Sequence, residues 1–200
     1  MKMAFEGTSF SGKSTLARGL ERMNPERYKL IEEYVVYAGG SENFPPYPPK
    51  DKQEALKALE FFIGLEKKRH EVIQALEGEP YIMVMDRSII SLMGFRYAQK
   101  HLGGIDIFRE TKEILKDHLE LAPDFVIYLK ATDEQINERQ FKSQRPVGEL
   151  FIDPEFNKHL RKFFDWLQEQ KAYPIVTVDT GKPFELIKQE VTTIADGLST

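Results

Sequence analysis

Five short apolar runs recur along the chain, and each is followed after a turn by a longer segment with apolar residues at helical spacing. The runs cover residues 2–6, 28–31, 81–85, 125–129 and 175–178. Runs of this length without polar alternation are typical of strands that are buried on both faces of a sheet. Because helical segments alternate with the runs, the pattern predicts a five-stranded parallel sheet with helices on both faces and ligands at the carboxyl edge of the strands.

Seven segments have the apolar spacing of a helix. They cover residues 14–23, 51–77, 89–101, 105–121, 133–141, 154–170 and 184–194. Asp51 is a favourable N-cap for the longest segment, and Gly78 and Pro80 terminate it. Residues 38–50 hold four prolines and two glycines. Neither a helix interior nor a central strand tolerates that composition, so this segment is predicted to be a loop.

The composition indicates one domain over residues 1–200 and excludes several classes of partner. Two hundred residues can bury one sizeable core, and 28 basic against 32 acidic residues give a net charge of −4. This balance favours neither a nucleic-acid binder nor a membrane binder. The chain has no cysteine, and its first apolar run begins at residue 2 without room for a signal peptide. We therefore expect a cytoplasmic protein.

The turn after the first run has the spacing of a phosphate-binding loop, the P-loop. Residues 7–14 read Gly-Thr-Ser-Phe-Ser-Gly-Lys-Ser, which matches G-x-x-x-x-G-K-[ST] between a strand and a helix. Gly7 and Gly12 allow a tight turn whose N–H groups point at phosphate oxygens, at the positive end of the next helix dipole. Lys13 is predicted to reach the β- and γ-phosphates, and Ser14 is predicted to ligate Mg²⁺.

The motif predicts a three-layer P-loop NTPase fold, with the sheet between two layers of helices. The alternative is a strand-to-helix turn that binds no ligand. The residues predicted to hold the phosphates of the nucleotide are Gly7, Thr8, Ser9, Ser11, Gly12, Lys13, Ser14 and Thr15.

A P-loop needs an acidic partner for its metal ion, and Asp86 ends the third apolar run. Neighbouring parallel strands bring their carboxyl ends together, so Asp86 is predicted to ligate Mg²⁺ together with Ser14. The alternative is that Asp86 caps the helix that starts near Ser88. Arg87 is predicted to clamp an anionic group or to hold a carboxylate, and its alternative role is a surface ion pair.

Three cations, Arg139, Lys142 and Arg145, lie at one helix end and in the loop that follows it. We expect residues 139–153 to form a lid in which these cations neutralise charge on a transferring phosphoryl group and exclude water. Arg139 and Arg145 are the candidates for a catalytic role. The alternative is a solvated basic helix end that suits the helix dipole. Arg96, Arg109 and Arg161 are weaker candidates for the site.

Two glutamates, Glu32 and Glu33, follow the second run, at the sheet edge that also carries the P-loop. A carboxylate at that place suits a general base for an acceptor hydroxyl. Adjacent residues of an extended segment point to opposite sides, so at most one of the two reaches the site, and we prefer Glu33. The alternative is an ordinary exposed pair. Glu6, directly before the loop, is expected to support the loop.

Together these residues resemble the thymidylate kinase and deoxynucleoside kinase superfamily. The resemblance rests on residues 5–7 (Phe-Glu-Gly), 12–15 (Gly-Lys-Ser-Thr), 86–88 (Asp-Arg-Ser) and 123–129. It implies ATP as the phosphate donor, Mg²⁺, and a nucleoside or nucleoside monophosphate as the acceptor, on a loop and helix at about residues 34–77. The resemblance further implies that Glu33 is the base and that Arg87 and Arg69 contact the acceptor.

Three residues depart from the family pattern. Tyr34 follows Glu33 where nucleoside kinases usually have proline. Ser9 stands where thymidylate kinases usually have aspartate, and Phe10 stands where both branches usually have glycine. We interpret Phe10 as a wall of the acceptor pocket.

The leading hypothesis is a kinase that transfers the γ-phosphate of ATP to a nucleoside monophosphate or a nucleoside. A thymidylate kinase-like activity is the preferred form of this hypothesis. The proline-rich segment and Phe10 leave open a kinase of another small metabolite or an antibiotic. A non-catalytic nucleotide-binding regulatory protein is a further alternative. A GTPase is disfavoured because no Asn-Lys-x-Asp segment occurs. The apolar long helix also leaves room for a homodimer.

Overall fold

Five parallel strands form one sheet in the computed structural model, which describes residues 1–143, 148–171 and 173–198. The strands are β1 Lys2–Glu6, β2 Tyr28–Ile31, β3 Ile82–Asp86, β4 Phe125–Lys130 and β5 Ile175–Asp179. They stand in the order β2-β3-β1-β4-β5, and every neighbouring pair is parallel. The predicted five-stranded parallel sheet is therefore confirmed.

The α-helices of the described ranges cover both faces of this sheet. They are α1 Lys13–Met23, α2 Tyr34–Tyr37, α3 Lys52–Gln74, α4 Ile89–His101, α5 Phe108–Lys116, α6 Asp133–Ser143, α7 Pro154–Glu169 and α8 Phe184–Leu198. Short 3₁₀ turns lie at Ser41–Asn43, Leu119–Leu121 and Glu149–Ile152. None of these described helices is long and apolar enough to cross a membrane.

The sheet separates two apolar cores, because its strands are apolar on both faces. Leu16 of α1 and Val191 of α8 are buried against one face. Ile90 of α4, together with Phe156 and Phe163 of α7, is buried against the other face. A third cluster joins α2, α3, α4 and α5 beyond the sheet edge. The helices α3 and α4 thus extend the protein past the carboxyl ends of β2 and β3.

The central position of β1 brings the predicted site residues to one edge. In the ladder, Phe5 of β1 pairs with Asp86 at the end of β3, and Glu6 pairs with Tyr128 of β4. The P-loop leaves the sheet directly after Glu6. Its neighbour across the ladder is therefore the end of β3, as the parallel arrangement requires.

The structure differs from the sequence prediction in two elements, α5 and α2. The predicted helix at 105–121 is shorter, because the Asp106 side chain accepts a hydrogen bond from Phe108 N (3.0 Å) and starts α5 there. The chain then turns through the 3₁₀ segment that buries Leu121 in the third cluster. The single turn α2 was not predicted, because four residues are too few to show a period and the burial of Tyr34 is a tertiary contact.

Gly94 lies in the interior of α4 where α7 crosses it. A Cβ atom at Gly94 would lie 2.8 Å from Leu160 Cδ1 and 2.9 Å from Phe163 Cδ1, and both of those side chains are buried. Gly64, in the interior of α3, is exposed, and a Cβ atom there would meet nothing within 4 Å. The two positions therefore form a matched pair for testing the packing of the helices.

We expect Gly94→Ala and Gly64→Ala to change the free energy of unfolding in opposite directions, measured by urea denaturation. Gly94→Ala should destabilise the protein by about 1–3 kcal/mol, because the added methyl group overpacks the crossing of α4 and α7. Gly64→Ala should stabilise it by about 0.5–1 kcal/mol, because alanine loses less backbone entropy in a helix. A stabilising Gly94→Ala would show that the two helices are not in close contact.

Candidate active site

The two glycines of the P-loop are required for different reasons. Gly7 and Gly12 have φ angles of 140° and 99°, a region that disfavours side chains. A Cβ atom on Gly7 would lie 2.5 Å from the carbonyl oxygen of Leu129, whereas one on Gly12 would meet nothing within 4 Å. Gly7 therefore lets the loop pack against β4, and Gly12 leaves open space at the start of α1. Phe10 also has a left-handed φ, 59°, although it is not a glycine.

Lys13 folds its side chain back over the loop. Its Nζ donates to the carbonyl oxygens of Gly7 (3.1 Å) and Thr8 (2.7 Å) and to Ser11 Oγ (3.3 Å). Burial lowers the pKa of Lys13 to about 7, and the positive charge of Arg87 acts in the same direction. An anion placed in the loop would oppose both effects, because it would stabilise the charged amine.

Asp86 is buried beside the loop, close to the Ser14 hydroxyl. Its exposure is 1%, and neither of its carboxylate oxygens has a partner among the described residues. Burial and then the nearby charge of Glu33 raise the pKa of Asp86, while the Ser14 hydroxyl close by lowers it. An orphaned carboxylate beside a hydroxyl fits a hard cation such as Mg²⁺. In the described ranges no three His, Cys, Asp or Glu residues could hold a metal by themselves, so phosphate oxygens would supply further ligands.

Glu33 and Arg87 form an ion pair in the cleft. Arg87 Nε donates to Glu33 Oε1 at 2.7 Å, and Arg87 Nη1 donates to the Gly7 carbonyl oxygen at 3.3 Å. Burial opposes the charge of Arg87, but the carboxylates around it, Glu33 foremost, raise its pKa overall. Glu32 lies outside the cleft and pairs with Arg18 on α1 at 3.0 Å. The two adjacent glutamates therefore have separate surroundings.

Arg69, which was predicted to contact the acceptor, lies behind the wall of the cleft in this structure rather than on it. Its exposure is 0% and it does not line the cleft. Nη2 donates to the carbonyl oxygens of Asp86 (3.2 Å) and Arg87 (2.8 Å), and Nη1 donates to Glu66 Oε1 (2.9 Å). The Arg69 guanidinium also lies 5.0 Å from the Tyr34 ring centroid, and its two hydrogen bonds to carbonyl oxygens tie α3 to the backbone that carries Arg87.

Further buried polar residues support the same strand end, and the sequence analysis missed most of them. The Tyr34 hydroxyl lies 2.5 Å from Glu66 Oε1 and 2.7 Å from the Ser88 carbonyl oxygen. Glu6 accepts hydrogen bonds from Ser88 N and Ser88 Oγ, both at 2.8 Å, and from Ser91 Oγ. One signal was present, because Glu66 interrupts the apolar stripe of α3 at helical spacing.

Arg139 attaches α6 to the P-loop. Its Nη1 donates to the Phe10 carbonyl oxygen (3.1 Å) and to Thr180 Oγ1 (3.2 Å), and its Nη2 donates to the Thr180 carbonyl oxygen (2.5 Å). Lys142 pairs with Glu138 on the exposed side of the same helix. Arg145 lies outside the described residues, as does part of the predicted lid at 144–147.

A cleft of about 1350 Å³ opens from the P-loop toward α3 and α4. Its phosphate end is lined by Ser9, Phe10, Gly12, Lys13, Ser14 and Thr15, together with Glu33, Arg87 and Arg139. Its other end is apolar and aromatic, lined among others by Val35, Phe44, Tyr47, Leu59, Phe62, Leu92, Phe95 and Phe151. The proline-rich segment also forms part of this wall, through Pro45, Pro46, Pro48 and Pro49. The cleft can therefore hold a charged polyphosphate beside a planar apolar group.

Comparisons with known proteins agree with this geometry. The family model described as "Deoxynucleoside kinase" matches residues 3–200. A relative named "Probable thymidylate kinase" from Archaeoglobus fulgidus is 29% identical, and the alignment covers 96% of this chain and 92% of the relative.

Solved structures of deoxyadenosine kinase from M. mycoides share the fold. The structure with bound dATP has a TM-score of 0.75 at 20% identity, and the structure with bound dCTP has a TM-score of 0.72 at 20% identity. Each alignment covers 98% of this chain and 100% of the other. Because the family model matches nearly the whole chain, the protein belongs to the deoxynucleoside kinase family and is a phosphotransferase.

Proposed function

We propose that the protein transfers the γ-phosphate of ATP to the 5′-hydroxyl of a deoxynucleoside, with Glu33 as the general base. The observation that carries this proposal is the ion pair between Glu33 and Arg87 at 2.7 Å in the cleft. A hydroxyl acceptor must lose a proton during transfer, and a carboxylate at the reacting end serves that need. A phosphate acceptor would instead require a cation without a bound carboxylate.

The donor is proposed to lie along the P-loop. The loop N–H groups and Lys13 would hold its β- and γ-phosphates, and Arg139, which contacts both the loop and Thr180, would neutralise charge beside them. Ser14 and Asp86 would hold Mg²⁺, which when bound neutralises charge on the transferring phosphoryl group. The phosphate-binding set remains the one predicted from the sequence: Gly7, Thr8, Ser9, Ser11, Gly12, Lys13, Ser14 and Thr15.

A smaller cavity of about 210 Å³ is proposed to receive the base of the donor. It is continuous with the P-loop through Ser11, Gly12 and Thr15, and Arg139 lines both cavities. Its outer wall includes Phe184, which offers a planar apolar surface. The nucleotide would then enter from the side of the sheet opposite the acceptor.

In the proposed reaction, Glu33 takes the proton from the 5′-oxygen of the acceptor. The oxygen attacks the γ-phosphorus, and the bond between that phosphorus and the β–γ bridging oxygen breaks, so ADP leaves. Lys13, Arg87 and Arg139 stabilise the negative charge of the phosphoryl group as it moves. Arg145 is proposed to join them from the lid, as predicted from the sequence. Phe10 is proposed to bound the acceptor, because it lines the cleft at its phosphate end.

A deoxynucleoside monophosphate, thymidylate foremost, is the second candidate acceptor. The observation that favours it is the relative from Archaeoglobus fulgidus, which is named "Probable thymidylate kinase". Binding of a monophosphate would require Arg87 to exchange Glu33 for the acceptor phosphate. The case for a non-catalytic regulatory protein is removed by membership of a kinase family.

An acceptor screen tests the proposed function directly. With ATP and MgCl₂, we expect a deoxynucleoside to be converted to its 5′-monophosphate, detected by mass spectrometry of the product. Lys13→Ala should abolish the product, because the phosphates lose the one ammonium group inside the loop. Phosphorylation of deoxynucleoside monophosphates alone would support the second candidate, and failure with both classes would contradict a nucleoside or nucleotide kinase.

Separate replacement of the two adjacent glutamates tests whether Glu33 is the general base, with the exposed Glu32 as the control. Glu33→Gln should lower kcat by about 10²–10⁴-fold, because the amide cannot accept the proton of the hydroxyl. Glu32→Gln is the matched control and should leave kcat within about twofold, because its exposed ion pair with Arg18 contributes little. Equal kcat values for the two variants, measured in steady-state assays, would remove Glu33 from the reaction.

Asp86→Asn tests the proposed cation site, because it should weaken activation by Mg²⁺ without destabilising the ligand-free protein. The variant should need a higher Mg²⁺ concentration for half-maximal rate, because a carboxylate ligand is lost. The melting temperature of the ligand-free protein should not fall, because the carboxylate is buried without a hydrogen-bond partner among the described residues. Asp165→Asn, at an exposed ion pair, should change neither value. A lower melting temperature with unaltered Mg²⁺ dependence would contradict a metal role.

A further inference from the structure

Arg96 lies in the wall of the acceptor end of the cleft, and it is 5% exposed. Its Nη1 donates to Gln99 Oε1 at 2.7 Å, and its Nη2 donates to the Ala55 carbonyl oxygen at 3.1 Å. Both partners are neutral, and no carboxylate in the described ranges forms an ion pair with this guanidinium. Burial lowers the pKa of Arg96 to about 10, and Tyr47 is the group that opposes this effect.

A buried guanidinium without an anionic partner is unfavourable in the empty protein, because its desolvation is only partly compensated. A guanidinium has five N–H donors, and the neutral partners of Arg96 take two. The remaining donors are available to a group in the cleft. That group must be a hydrogen-bond acceptor, because arginine cannot accept a hydrogen bond.

The helices place Arg96 far from the phosphates. It follows Ile89, the first residue of α4, by seven residues, so Arg96 lies about 10 Å along the helix from the end that adjoins Arg87. On α3, Ala55 contacts Arg96, whereas Arg69 contacts the backbone of Arg87. Those two α3 residues are about 21 Å apart along the helix axis. Both α3 and α4 therefore place Arg96 at the end of the cleft away from Arg87. A phosphate on the acceptor, held near Arg87, would not reach Arg96.

The cleft walls between Arg87 and Arg96 are apolar, so they can enclose a planar base without forming hydrogen bonds to its edge. Tyr34, Phe44 and Phe62 make edge-to-face contacts on one side of the cleft. Tyr47 and Phe95 make such a contact on the other side, and the Arg96 guanidinium lies 5.3 Å from the Phe95 ring centroid. The base edge opposite the sugar is the part of a nucleoside farthest from the reacting 5′-oxygen. That edge carries position 4 of a pyrimidine and position 6 of a purine.

We infer that Arg96 is a specificity-determining residue that donates a hydrogen bond to a carbonyl oxygen at this far edge of the acceptor base. Thymine, uracil and guanine carry an oxygen there, whereas cytosine and adenine carry an amino group. An amino group at that position would place donor against donor. The enzyme therefore prefers oxo bases to amino bases. This inference rests on the proposed function, since it takes the acceptor to be a deoxynucleoside.

Deoxyuridine and deoxycytidine form the matched pair of acceptors. Uracil carries an oxygen at position 4 and a proton on N3, whereas cytosine carries an amino group at position 4 and no proton on N3, and the two nucleosides are otherwise identical. The ratio of their kcat/KM values should be about tenfold or more in favour of deoxyuridine. Arg96→Met should bring the ratio close to one, chiefly by loss of rate with deoxyuridine. Arg96→Lys should keep part of the preference, because an ammonium group still donates. Lys100→Met, an exposed cation on the same helix, should leave the ratio unchanged.

A ratio near one in the unaltered protein would overturn the inference, as would an undiminished ratio in a folded Arg96→Met variant. If Arg96→Met does not fold, the ratio of the unaltered protein and its change in Arg96→Lys decide the question. If only monophosphates are phosphorylated, the proposed acceptor is wrong, and the ratio for dUMP against dCMP tests Arg96 separately. If no acceptor reacts, the ratio of the two dissociation constants from calorimetry replaces kcat/KM.

Discussion

Buried hydrogen bonds to the backbone at the end of β3 are the interaction on which the site depends. Asp86 and Arg87 leave the apolar interior of the sheet together, and Arg87 has a left-handed φ of 67° that only its surroundings can stabilise. Arg69 binds the carbonyl oxygens of both residues, and Glu6 accepts from the N–H of the next residue, Ser88. Buried backbone groups are costly without partners, so these bonds fix the direction of the Arg87 side chain.

Burial is the largest effect on the charges beside the P-loop, and charges of both signs lie around them. Arg87 lowers the pKa of Lys13 whereas Asp86, Glu33 and Glu6 raise it, and Glu33 raises the pKa of Asp86 whereas Lys13 and Arg87 lower it. The pKa of Lys13 is lowered and that of Asp86 is raised, because burial penalises both charged forms. A polyphosphate beside Lys13 would oppose the effect of burial there, because it would stabilise the charged amine.

The two ends of the cleft are built from different parts of the fold. The phosphate end is formed by turns at the carboxyl edge of the sheet, whose positions are set by the ladder between β1 and β3. The apolar end is formed by side chains of α3, α4 and the proline-rich segment, beyond the sheet edge. Side chains at the apolar end can therefore change without altering the ladder that positions the P-loop.

The sequence alone determined the strands and the P-loop, because both are local. Unbroken apolar runs mark buried strands, and Gly7 and Gly12 mark a turn whose backbone conformation excludes side chains. Tertiary structure decided the rest of the cleft. Only the packing of α3 and α4 shows that Arg69 binds backbone carbonyl groups and that Arg96, a weaker candidate in the sequence, lines the apolar end of the cleft. The physical reason is that a side chain's partners come from elements far apart in sequence, which periodicity does not record.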